Sequence, residues 1–163
     1  MSLTKRALFR AGDATVHIAL QVGEVKQKER WLHGVLLGYL QAKVGKMRSE
    51  WRVSPGRINL RHGGTNPSVI ELVVRFHGVE EAPAANRTEL AKLCRVKRGQ
   101  ARTRFLLILD VSGGRPVRKE MLQRSYGKYN GGPGKFERKP VRVLYVHPDA
   151  RHNFDFAWSP FAG

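Results

Sequence analysis

Residues Trp51–Arg75, WRVSPGRINLRHGGTNPSVIELVVR, decide how the rest of the chain is read. Ser54-Pro55-Gly56 is a turn signal, Arg57–Arg61 reads as a strand, His62–Pro67 as a loop and Ser68–Phe76 as a further strand, with Glu50–Val53 extended before them. Together these predict an antiparallel meander. Two polar residues interrupt its apolar runs: Asn59 between Ile58 and Leu60, and Glu71 between Ile70 and Leu72. A carboxylate in a β-branched run is costly to bury unpaired, so it is either bonded into the structure or exposed in a site that uses it.

Upstream of the meander, Leu32, Leu36, Tyr39 and Leu40 follow helical spacing, which predicts a helix from about Glu24 to Lys43 with Glu29 on the same face as Leu32. Before it, Val16, Ile18, Leu20 and Val22 alternate with Thr15, His17, Ala19 and Gln21, and period two predicts a half-buried strand over 15–22. A basic hinge carrying Lys43, Lys46 and Arg48 leads into the meander.

Downstream, Asn86 and Glu89 have the spacing of a capping box, and Leu90, Leu93 and Cys94 supply the apolar stripe of the helix that would follow. The unbroken run Phe105–Leu109, ending in Asp110, reads as a strand covered on both faces, with the preceding helix as its crossover. Residues 116–126 predict a short helix around Val117, Met121 and Leu122, and Val141–Val146 a last strand. The aromatics Phe154, Phe156, Trp158 and Phe161 read as core. The fold class expected is α/β, a mixed sheet flanked by helices in a single domain spanning 1–163, with a core over 24–111 and a basic, aromatic extension over 112–163.

Charge narrows the function. A net charge of +17 and a pI near 10.9 raise the local concentration of polyanions and make nucleic acid the first partner to consider, DNA ahead of RNA. An acidic protein or ribonucleoprotein is the rival, with a second copy of the chain as a further partner. Residues 95–142 hold fourteen Lys and Arg against three acids. The residues expected to touch nucleic acid are Arg95, Lys97, Arg98, Arg102, Arg104, Arg124, Tyr126, Lys128, Tyr129, Lys135, Arg138 and Lys139, the tyrosines by stacking on bases. Cys94 is the only cysteine, which excludes an internal disulfide and any thiolate zinc site and favours a reducing, cytoplasmic setting. No apolar run is long enough to span a membrane, and none follows Met1–Arg6 as a signal sequence would. The six histidines lack finger or i,i+4 spacing, and Ser112 lacks a nucleophile-elbow motif.

The order of a helix with Glu29, a strand with Asn59, a strand with Glu71, a helix from Arg87 and the strand 105–109 resembles the core of the PD-(D/E)XK nuclease superfamily, the restriction-endonuclease-like fold. The resemblance covers about residues 24–111. It implies that Asn59 stands where the family has its aspartate, Glu71 where it has the metal-binding acid, and Val73 where it has the lysine. The metal ligands implied are Glu71, Asn59 and Glu29 around Mg²⁺, and the catalytic set Glu71 and Glu29 with Arg75 or Lys92 replacing the absent lysine. An amide brings no charge to a cation, and valine cannot stabilise a developing charge. The expectation is therefore a nucleic-acid-binding protein with a degenerate, inactive nuclease-like fold. The alternatives are an active Mg²⁺-dependent endonuclease and a structural subunit docked on an acidic protein or ribonucleoprotein.

Overall fold

The computed structural model describes residues 3–159 apart from 25, 27, 54–55, 77–82, 98 and 128–139. It opens with a helix where the alternation over 15–22 predicts a strand: α1 spans Lys5–Val22. Thr4 caps it, its hydroxyl accepting from the Ala7 N–H at 3.1 Å. Its buried residues, Leu8, Ala11, Gly12, Thr15, Val16 and Ala19, recur at helical spacing, while Leu20 and Val22 are about half exposed. The period-two pattern is thus a fragment of a longer helical stripe built largely from small residues. Those small residues bring α1 close to the sheet. A Cβ added at Gly12 would lie 3.0 Å from Val146 Cγ2 and 3.2 Å from Leu109 Cδ2.

Helix α2, Lys28–Val44, buries Leu32, Leu36 and Leu40, one side chain per turn. It ends at Gly45 and Lys46, both at positive φ (65° and 54°), and the Gly63 N–H donates to the Lys46 carbonyl at 2.9 Å. The chain reverses there into β1, Met47–Val53, then β2, Gly56–His62, and β3, Ser68–Arg75, as the meander expected. β1 starts three residues earlier than the sequence suggests, so Arg48 belongs to the strand and not to the hinge.

Helix α3 spans Pro83–Arg95. Proline suits a first helical position, so the helix begins before Asn86 and the expected capping residue lies inside it. α3 is the crossover to β4, Thr103–Asp110, which runs parallel to β3 in unbroken register from Ser68↔Thr103 to Arg75↔Asp110. A short α4, Lys119–Gly127, follows, then β5, Val141–Val146, parallel to β4. A single 3₁₀ turn, Ala150–His152, precedes β6, Phe154–Trp158, antiparallel to β5.

The six strands lie in chain order, β1-β2-β3-β4-β5-β6, in one mixed sheet. Residues beyond 112 are therefore no appended extension, because β5 and β6 continue the same sheet. Alternation along the strands sorts the core into two layers. Leu60, Ile70, Leu72, Val74, Leu107, Leu109 and Val146 face α1 and α2. Val69, Leu106, Ile108, Val143, Phe156 and Trp158 face the other way, with Leu90, Leu93 and Cys94 of α3 and Tyr126 of α4. β3 and β4 are thus covered on both sides, which is why their sequences read as apolar runs.

Candidate functional site

Glu71 points into the second layer, under α3, and is 1% exposed. The β2–β3 pairing runs from His62↔Ser68 to Leu60↔Ile70, and immediately beyond it side chains take over from the backbone. The Asn59 N–H donates to Glu71 Oε1 at 3.2 Å, and the Leu72 N–H donates to Asn59 Oδ1 at 2.8 Å. Asn59 and Glu71 thereby clasp the two strands, each satisfying a main-chain amide.

α3 adds the rest. Lys92 Nζ lies 3.2 Å from Glu71 Oε1 and 2.9 Å from Glu89 Oε2. Burial, and then the Glu89 carboxyl beside it, push Glu71 up to about 8, with Lys92 opposing. Burial acts in the same sense on Glu89, but a hydrogen bond from Glu71 and the Lys92 ammonium outweigh it and hold that carboxyl below its usual range. Burial alone would lower Lys92; the two carboxylates raise it instead. At neutral pH the cluster holds one shared proton between two acids, next to one ammonium.

Of the residues expected at a catalytic centre, Asn59, Glu71 and Lys92 come together. Glu29 does not. It is exposed on the first turn of α2, whose buried leucines pack on the opposite face of the sheet. Arg75 shares the Glu71 face, as strand alternation requires, but its guanidinium is committed elsewhere: Nη1 donates to Asp110 Oδ2 at 2.5 Å and to the Arg115 carbonyl at 2.8 Å. Val73, where the resemblance implies a lysine, packs into the second layer. His62 faces the α2 side and is no neighbour of Glu71. Burial lowers its pKa, the Val44 carbonyl opposes, and the charges of Lys46 and Arg61 lower it further.

Glu89 is the site residue that sequence reasoning missed. The capping-box reading put it in the first turn of the helix, whereas the start at Pro83 places it mid-helix, beside Glu71 and Lys92. Its adjacency to Leu90, on the apolar stripe, and its spacing of three from Lys92 were the available signals.

A second buried carboxylate lies at the far end of the β3–β4 pair. Asp110 Oδ2 also accepts from the Tyr145 hydroxyl, and Oδ1 accepts from the Ser112 N–H at 3.0 Å and the Ser112 hydroxyl at 2.6 Å. The Val117 N–H donates to Tyr145 Oη at 3.1 Å. Burial would raise Asp110, but Ser112, Tyr145 and Arg75 together hold it below its usual value.

The Mg²⁺ that the family resemblance implies would need oxygens free to turn toward it. Asn59 Oδ1 and Glu71 Oε1 already accept main-chain N–H groups, the Lys92 ammonium sits in the position a cation would take beside Glu71, and Glu29 is across the sheet. The residues as arranged do not fit the metal.

The expected nucleic-acid contacts divide in the same way. Lys97, Arg102 and Arg124 are exposed and Arg95 is half-buried. Arg104 is 1% exposed and donates to the Val96 carbonyl, and Tyr126 is fully buried, its ring 6.3 Å from that of Phe156 and its carbonyl accepting from Trp158 Nε1 at 3.1 Å. Both belong to the core, which removes them from any surface contact. Arg98, Lys128, Tyr129, Lys135, Arg138 and Lys139 lie outside the described residues, as does Phe161. No helix among the described residues is long and apolar enough to cross a membrane. Comparison with protein-family models, curated proteins and solved structures returns no match for this chain.

Proposed function

We propose that the protein binds nucleic acid through a PD-(D/E)XK-like fold in which binding has outlasted cutting. The fold part of this reading is supported by the order α2-β1-β2-β3-α3-β4, by a sheet that keeps that order, and by β4 running parallel to β3. The binding part is supported by the net charge of +17 and by exposed Lys97, Arg102 and Arg124. One observation carries the loss of cutting: the Lys92 ammonium, 3.2 Å from the buried Glu71, occupies the cation's place with a group of the protein's own.

A single set of assays tests this. Labelled DNA and RNA, incubated with the protein and Mg²⁺ or Mn²⁺, are expected to be retained and not cut, with DNA bound more tightly than RNA. Cutting that disappears in Glu71→Ala would overturn the inactive reading in favour of an active metal-dependent nuclease. Binding weaker than about 10⁻⁴ M at low salt would sink the nucleic-acid reading in favour of docking on an acidic protein, because non-specific binders normally exceed that affinity.

A further inference from the structure

The parallel strands β3, β4 and β5 finish side by side, with Arg75 beside Asp110 and Leu109 beside Val146. The chain that leaves β4 there, residues 111–118, is pinned to the strand ends along its length. The Val111 N–H donates to the Arg75 carbonyl at 3.0 Å, the Ser112 N–H to Asp110 Oδ1 at 3.0 Å and the Val117 N–H to Tyr145 Oη at 3.1 Å, while the Arg115 carbonyl accepts from Arg75 Nη1 at 2.8 Å. A buried ion pair such as Arg75–Asp110 often adds little net stability over apolar packing, so what this network secures is position.

What the pinned loop presents is basic. Gly113, Gly114, Arg115 and Arg118 are exposed, and Lys119 is half-buried at the start of α4. Gly113 stands at φ 69°, and a Cβ built there would meet nothing within 4 Å, so the loop backbone is open to an approaching group. α4 extends the same surface. It turns Leu122 and Tyr126 toward the core and leaves Met121 and Arg124 exposed, with the Arg118 guanidinium just ahead of it, 3.5 Å from Met121 Sδ. The stretch 110–127 holds two acids. Asp110 is buried and matched by Arg75, Ser112 and Tyr145, which leaves Glu120 alone against Arg115, Arg118, Lys119 and Arg124. From the joint between β5 and β6, His147 stacks beside Tyr145, and Asp149 is paired with Arg151 at 2.7 Å.

We infer that this surface, with Arg115, Arg118, Lys119 and Arg124 at its centre, seats the phosphate backbone of a nucleic acid. This inference rests on the nucleic-acid reading above and gives it a location, at the carboxyl ends of the parallel strands on the α4 side of the sheet. Guanidinium groups take phosphate oxygens bidentately, and a loop already fixed by buried bonds loses little freedom when they do so. Binding residues carried on a loop and held by a rigid scaffold are a common arrangement.

The test is binding of a short fluorescein-labelled DNA duplex, followed by anisotropy between roughly 50 and 200 mM salt. Arg115→Ala/Arg118→Ala is expected to weaken binding about tenfold at the lowest salt and to reduce the slope of log K against log salt by about two, one for each lost phosphate contact. Arg115→Lys/Arg118→Lys should keep the wild-type slope, since each ammonium still neutralises a phosphate. Arg6→Ala/Arg10→Ala, which removes the same charge from exposed positions on α1, should change the slope little. Equal losses from the two alanine pairs, no loss from Arg115→Ala/Arg118→Ala, or a lysine pair that loses slope as the alanine pair does would overturn the location while leaving nucleic-acid binding intact. A wild-type protein that fails to bind removes the parent reading itself.

Discussion

Glu71 and Asp110 are both 1% exposed, both on the α3 side of the sheet, and on adjacent parallel strands, yet their environments drive them to opposite protonation states. Asp110 meets a guanidinium, two hydroxyls and an amide N–H, so its negative charge is fully matched. Glu71 meets a second carboxylate, and the one ammonium nearby is shared between the two. Burial alone therefore says little about a carboxylate's role; the sign of its neighbours decides it. Asp110 is a fastener, tying the ends of β3, β4 and β5 to the 111–118 loop. Glu71 is held one proton away from instability, as groups at ligand sites often are.

If that contrast is right, Asp110→Ala will have the largest effect. It strands Arg75 in a buried position and releases Ser112 and Tyr145, and breaking a buried ion pair from one side costs about 3–5 kcal/mol. Urea unfolding at neutral pH measures it, and a loss under about 1 kcal/mol would show that Asp110 is no more matched than Glu71.

Lys92→Met is expected to cost less, about 1–3 kcal/mol, since Lys92 is a quarter exposed and one proton already relieves the two acids. Its cost should grow with pH, as Glu71 gives up that proton beside an ionised Glu89. A pH-independent cost would mean that Lys92 contributes only through its packing.

The sharpest effect, because it is set by pH alone, is that of Glu71→Gln. Unfolded, Glu71 titrates near 4.5; folded, at about 8. Between those values the native state holds the extra proton, so wild-type stability falls as pH rises through the window. Glutamine cannot lose a proton. The variant should match wild type near pH 5 and exceed it by about 1 kcal/mol or more at pH 8, which paired unfolding curves would read directly. The opposite slope would place Glu71 in the same class as Asp110.

Much of this was legible in the sequence. The meander, the two-faced strand over 105–109, its crossover helix and the oddity of Glu71 all follow from periodicity and composition, because apolar alternation and turn residues are local signals. α1 was not legible, because its buried stripe runs through Ala11, Gly12, Thr15 and Ala19, which carry little hydrophobic signal, while Val16–Val22 imitates a strand. Lys92 was found as a candidate from its place on the helix after Glu71. Glu89 was hidden by a capping pattern that the earlier Pro83 start overrides. The pairing of Arg75 with Asp110 needed the parallel register, which no single segment states.

The strand order carries one more consequence. Because β1 to β6 lie in the sheet in the order they occur in the chain, each strand, as it leaves the ribosome, finds its partner already made. The sheet can grow by one edge at a time, and no finished pair has to reopen to admit a later strand. The three hairpin-type joints close short loops at little entropic cost, while the crossovers to β4 and β5 close longer ones and set the pace of assembly.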